Sequence, residues 1–138
     1  MAERSKETTK GLLLPTLRVG TDICAISRIA EAHERFGDKF LSRILTEKEI
    51  AYVTSAPKHM ITRTAARFAA KEAVVKVLGT GWTGVGWREV EVGRRAAGEP
   101  FIILHGRAKV RAEAMGLSHF ELSMSHEREY ALAFVVAY

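Results

Sequence analysis

Between Met60 and Leu78 apolar and polar positions alternate with the three- and four-residue spacing of a helix. Arg67-Phe68-Ala69-Ala70-Lys71-Glu72-Ala73-Val74-Val75-Lys76 is built largely from strong helix formers, and Gly79 or Gly81 supplies a stop. At roughly 100° per residue, Ala65, Ala69, Glu72 and Lys76 share one side, with Phe68, Val75 and Leu78 on the adjacent one. Glu72 and Lys76 stand four apart, in the order that lets their side chains meet. Their neighbours are alanines and valines rather than further charge. The pair is therefore expected off the fully wet face, with room for a charged ligand beside it.

Elsewhere the pattern is shorter in range. Leu17 to Ile23 alternates as a strand should, and Ser27 to Phe36 reads as a basic amphipathic helix closed by Gly37. Asp38 to Ile44 fits a short helix. Thr46-Glu47-Lys48-Glu49 is a capping-box pattern opening a helix to about Tyr52, and Pro57 ends that region. After the long helix the period changes. Strands are predicted over Trp87–Gly93 and Phe101–Leu104, with Gly98-Glu99-Pro100 as the turn between them. A helix follows from Gly106 to Met115, stopped by Gly116; strands at Phe120–Ser125 and Tyr130–Tyr138 are joined by a hairpin at His126–Glu129. There is no internal repeat or low-complexity tract. The short hairpin-like links predict an α+β fold, a largely antiparallel sheet packed on the long central helix.

At 138 residues the chain is expected to form one domain with a real core. Residues 1–16 read as a flexible extension: Met1 to Lys10 is polar, and Leu12-Leu13-Leu14 is too short for a secretory signal. Residues 17–138 form the domain. No apolar run approaches the ~20 residues of a membrane span, so no membrane partner is expected. Cys24 is the only cysteine, which excludes an intrachain disulfide and a cysteine-rich metal site and is consistent with a cytoplasmic location. The net charge of +5 suits an acidic partner: nucleic acid, an acidic protein or a polyphosphate cofactor. Charge alone does not choose among them.

Several residues carry candidate chemistry. Asp22 at the end of the first strand reads either as a helix N-cap or as a hard-metal ligand; with Glu72 it would supply the one or two carboxylates a magnesium site uses. His126 sits at a turn, after Ser123 and Ser125 on one side of their strand and Met124 on the other. Gly79-Thr80-Gly81 reads as a phosphate cradle or a plain helix stop, and lacks a Walker pattern. Arg28, Arg35, Lys39 and Arg43 form a basic stripe: a solvated face by default, a docking face for an acidic helix or nucleic acid as the sharper reading. No nucleic-acid-binding motif accompanies it.

Taken together, Gly20-Thr21-Asp22-Ile23, Ser27-Arg28-Ile29, Leu45-Thr46-Glu47-Lys48-Glu49, the Arg67 to Ala73 segment with Lys76, Gly79 and Gly81, and Ser123-Met124-Ser125-His126-Glu127 with Tyr130-Ala131 resemble the holo-acyl-carrier-protein synthases, the small bacterial 4′-phosphopantetheinyl transferases. The resemblance spans residues 17–138. It implies the phosphopantetheinyl transferase fold, and transfer of phosphopantetheine from coenzyme A to a serine of apo-acyl carrier protein, with release of adenosine 3′,5′-bisphosphate. It also implies magnesium and a homotrimer with sites between subunits. Carried onto this chain, Asp22 and Glu72 would be metal ligands, Glu72 and Lys76 catalytic, and Lys71, Lys76, Gly79, Gly81 and His126 coenzyme A contacts. Arg28 would dock the carrier protein. The loop Gly81-Trp82-Thr83-Gly84-Val85-Gly86-Trp87 is variable territory in that family, and its two tryptophans are a departure. Two other readings compete: a catalytically silent coenzyme A or carrier-protein binding module, and a nucleic-acid-binding domain resting on net charge alone.

Overall fold

The computed structural model describes residues 16–138, so all but Thr16 of the expected extension lies outside the described residues. Strand β1 (Arg18–Ala25) leads directly into helix α1 (Ile26–Phe36), followed by α2 (Asp38–Ile44) and α3 (Glu47–Thr54). The capping box at α3 forms as its sequence predicts: Thr46 accepts from the Glu49 backbone, and Glu49 Oε1 accepts from the Thr46 backbone at 2.8 Å. A 3-10 turn at Pro57–His59 precedes the central helix α4 (Met60–Leu78). Then come β2 (Val90–Arg94), β3 (Pro100–Leu104), α5 (Gly106–Ala114), β4 (Phe120–His126) and β5 (Tyr130–Ala137).

The pairing is antiparallel throughout, but in two sheets rather than one: a three-stranded sheet ordered β1-β5-β4 and a β2-β3 hairpin. α4 lies across the larger sheet. Its alanines make that approach close: Ala65, Ala69, Ala70 and Ala73 are fully buried, beside Ala131, Ala133 and Val135 of β5. Closest of all is Gly20 of β1, where a Cβ would stand 2.1 Å from the Ala73 carbonyl oxygen. Only glycine lets the strand and helix backbones meet there. A smaller cluster, Leu41, Ile44, Leu45 and Val53, holds α2 and α3 together.

One predicted strand shortens. Trp87–Glu89 forms a 3-10 turn, and β2 begins only at Val90. The cause is Glu89, whose carboxylate accepts from the Gly86 backbone at 2.7 Å, from the N–H groups of Arg107 and Ala108 at the start of α5, and from the Arg107 side chain at 2.9 Å. Burial alone would raise this carboxyl, but the Arg107 bond and the backbone donors outweigh it and hold it below the usual range. The side chain thus serves as a cap for α5 in place of a ladder position. Among the described residues no helix is long and apolar enough to cross a membrane.

Candidate active site

The close contact at Gly20 decides what comes next along β1. Side chains alternate, so Gly20, Asp22 and Cys24 all turn toward α4, while Val19, Thr21 and Ile23 turn away. Asp22 is therefore no helix cap; the N-cap of α1 is Ala25. It meets Lys76, whose Nζ donates to Asp22 Oδ1 at 3.2 Å and to the Thr21 carbonyl at 2.9 Å. The lysine side chain remains 55 % exposed and the aspartate 18 %. Glu72, one turn earlier on α4, is half-buried and does not pair with Lys76. Its Oε1 instead accepts from the Trp82 indole N–H at 3.2 Å. Cys24 senses both acids: burial pushes its thiol up, Arg28 opposes, and Asp22 and Glu72 add to the rise. Asp22, Glu72 and Lys76 thus border one region on the β1 flank of the central helix.

Two carboxylates with one oxygen each already engaged leave Asp22 Oδ2 and Glu72 Oε2 as donors. Among the described residues no cluster of three or more His, Cys, Asp or Glu side chains forms. A transition-metal site built on nitrogen or sulfur does not fit this set. A hard cation that keeps water and substrate phosphate in its shell does.

Lys71, expected as a coenzyme A contact, is a correction. Its ammonium is fully buried and spends its three protons on Glu49 Oε1 at 2.7 Å, Val90 O at 2.6 Å and Trp87 O at 3.1 Å. Burial lowers its pKa, and Glu49 works against that shift. No donor is left for a ligand. Gly79 and Gly81 are also explained without one. Both have positive φ, 69° and 62°, with nothing within 4 Å of an added Cβ, and Gly79 closes α4 as a left-handed cap.

Glu49 continues the buried network through Oε2, which accepts from the Val92 backbone at 2.9 Å. Beside it, Glu91 accepts from Thr46 Oγ1 at 2.7 Å and pairs with His105 Nε2 at 2.8 Å. Burial alone would raise Glu91, but the hydrogen bonds from His105 and Thr46 prevail and hold it below its ordinary value of 4.5. A carboxyl depressed on folding adds stability above that value and loses it as pH falls through the folded pKa. Glu91→Gln is expected to cost about 1–2 kcal/mol at pH 7 and progressively less as pH falls through the carboxyl's folded pKa, read by urea unfolding at neutral and at acidic pH. An equal cost at both pH values would remove the ionised carboxylate from the account.

On the other flank of α4 lies a cleft of about 320 Å³ that includes Arg63, Arg67, Arg94, Pro100, Ser123 and His126. Three guanidinium groups gather on the Tyr52 ring, at 4.2 Å (Arg63), 4.4 Å (Arg67) and 4.2 Å (Arg94) from its centroid. Among the described residues none has a carboxylate within salt-bridge distance, and buried Arg67 Nε has no hydrogen-bond partner. Such a cluster is built for an anion. Sequence reasoning did not single out Arg63, Arg94 or Tyr52 as site residues. The four-residue spacing of Arg63 and Arg67 was the available signal; Arg94 comes from another element.

The two regions do not meet within one chain. Asp22 pairs across the sheet with Ala133 and Ala133 with Met124, so β5 separates β1 from the strand bearing His126. Two strand spacings are roughly 10 Å, and Arg67 and Glu72, five residues apart, point about 140° from each other around α4. His126 is thus not brought to Asp22 and Glu72.

A third feature faces outward. Ala32, Phe36, Lys39, Phe40, Arg43 and Ile44 of α1 and α2 border a groove of about 540 Å³ floored by Phe68 and Trp87. Arg28 stands 6.0 Å above the Phe68 ring, and Phe68 stacks on Trp87 at 4.8 Å. Lys39 and Arg43 of the basic stripe thus border an apolar groove, and Arg28 stands over its floor.

Comparison with known proteins agrees in sequence and in shape. Residues 18–135 match the model of the 4′-phosphopantetheinyl transferase superfamily. The holo-[acyl-carrier-protein] synthase of Gloeobacter violaceus is 51 % identical over 118 residues, 86 % of this chain and 89 % of that protein. The synthase of Koribacter versatilis is 46 % identical over 121 residues, 87 % of this chain and 96 % of its own. The crystal structure of the Neisseria meningitidis synthase superposes with a TM-score of 0.80 at 40 % identity, covering 88 % of this chain and 97 % of that one. That of Helicobacter pylori, in complex with coenzyme A, gives 0.76 at 30 % identity, covering 87 % and 99 %. Over nearly its whole described length, then, this chain belongs to the 4′-phosphopantetheinyl transferase superfamily.

Proposed function

We propose that Asp22, Glu72 and Lys76 form the reacting centre for transfer of 4′-phosphopantetheine from coenzyme A to a serine of an apo-acyl carrier protein, releasing adenosine 3′,5′-bisphosphate. The observation that carries this reading is the Lys76–Asp22 ion pair on the β1 flank of α4, with Glu72 one turn earlier on the same helix, in a chain of this family. Asp22 and Glu72 are the residues that would hold magnesium, which when bound would neutralise charge on the pyrophosphate. Lys76, exposed and tethered to β1, reaches a phosphate oxygen of the leaving group and balances its charge. Glu72, directly or through a bound water, takes the proton from the serine hydroxyl.

The arginine cleft fits the remaining phosphate of coenzyme A, the 3′-phosphate, with His126 at its edge. Because that cleft and the carboxylates lie on opposite flanks of one chain, a complete site joins the two flanks from neighbouring copies. An apolar sheet face supports such an assembly. Ile23, Leu132 and Phe134 are 61 %, 43 % and 44 % exposed on the side of the sheet away from α4. That face suits burial against further copies of the chain in a homotrimer. On the outer groove, Arg28, Lys39 and Arg43 ring apolar floor residues, matching an acidic amphipathic helix of the carrier. A silent binding module is the second reading, and the reactive groups on both flanks count against it.

The test is intact-mass measurement after incubating the protein with magnesium, coenzyme A and an apo carrier, at rising ionic strength. The carrier is expected to gain one phosphopantetheine group, at a rate that falls with salt as docking is screened. No gain with any carrier would reject the transferase, and a rate indifferent to salt would reject the charged docking face.

A further inference from the structure

The aromatic pair in the Gly81–Trp87 loop makes a contact the reaction can use. Trp82 lies on a single helical turn (Gly81–Gly84) directly after the cap of α4, and its indole N–H reaches back 3.2 Å to Glu72 Oε1. Its ring lies on Trp87 with centroids 3.6 Å apart and planes 14° from parallel. Trp87 is itself fixed on two sides. Its ring stacks on Phe68, and its carbonyl accepts from the buried Lys71 ammonium. The donor on Glu72 is thus held by a stack rather than by a free loop.

We infer that Trp82 is a positioning residue for Glu72, engaging one carboxylate oxygen so that the other is presented toward Asp22. This rests on the reading of Asp22 and Glu72 as a magnesium-holding pair. A glutamate side chain has three rotatable bonds, and Glu72 receives no other protein hydrogen bond among the described residues. Without the indole it samples rotamers that turn both oxygens away from β1. Partners of this kind, which donate to a metal-ligating group, typically change metal affinity or activity by about 10–100-fold when removed. The stack also links the acid to the outer groove, since Trp87 and Phe68 are the groove floor.

The test separates the N–H from the ring. In Trp82→Phe an aromatic ring remains, and with 3-benzothienylalanine at position 82 the full bicycle remains; both lack the donor. Magnesium is titrated calorimetrically into coenzyme A-saturated protein without carrier, so no turnover contributes. Both variants are expected to keep the wild-type melting temperature within a few degrees and to bind magnesium about 10–100-fold more weakly. With carrier present at saturating magnesium, KM for coenzyme A should stay within twofold of wild type. Magnesium affinity within twofold of wild type in the benzothienyl variant would overturn the inference while leaving the transferase reading intact. Failure of the wild-type protein itself to bind magnesium would overturn the inference together with the reading of Asp22 and Glu72 as a magnesium-holding pair.

Discussion

Glu72→Gln should reduce phosphopantetheine transfer by about 10²–10⁴-fold, the range lost when a positioned acid–base group is removed. The substitution is nearly isosteric. The amide oxygen can still accept from Trp82 Nε1, so the stack at Trp87 and the packing of α4 are expected to survive, with a melting temperature close to wild type. What disappears is negative charge at the point where magnesium and the serine proton would meet. Raising the magnesium concentration should recover part of the loss if weakened metal binding contributes to it. Wild-type magnesium-dependent turnover in this variant would take Glu72 out of the site. Because the carboxylate is half-buried and lies at the flank of the core, the mass-increase assay should be paired with a thermal melt.

Lys71→Met should unfold the protein more readily by about 3–5 kcal/mol, the cost of leaving a buried partner charge uncompensated. Glu49 would keep its carboxylate in the interior with only the Thr46 and Val92 backbone donors, and the Val90 and Trp87 carbonyls would lose theirs. In a domain of this size that corresponds to a fall in melting temperature of roughly 10–20 °C. In a double-mutant cycle Glu49→Gln should cost less in the Lys71→Met background than in wild type, since the pair acts as a unit. The same measurement distinguishes anchor from ligand. A coenzyme A contact at Lys71 would show as a raised KM with little change in melting temperature, and that outcome would restore the role the resemblance suggested.

Lys71 and Glu72 illustrate why adjacent charged residues in one motif were not equally legible. Along α4 they are separated by about 100°, which sends one into the core and the other toward β1. The sequence places both in an alanine-rich helix and suggests polar chemistry there, but the three acceptors around Lys71 come from α3, the Trp87 turn and β2. No local pattern carries that information. The Glu72–Lys76 spacing likewise permits a pair along the helix, and each side chain found another partner: the Trp82 indole in one case, Asp22 and the Thr21 carbonyl in the other. The arginine cleft was less legible still, since its guanidinium groups share an aromatic ring contributed by α3.

From the sequence alone came the central helix with its glycine stop, the capping box at Thr46, the antiparallel hairpin pattern and the family, because each depends on neighbours within a few residues or on an ordered string of motifs. The tertiary structure decided which charges are anchors and which are available. It buried Lys71 with Glu49, set Asp22 against Lys76, and put His126 with the arginines on the far flank of α4. The physical reason is the close approach of β1 and α4 at Gly20, which fixes how the helix lies on the sheet and hence which face of it each charged side chain meets.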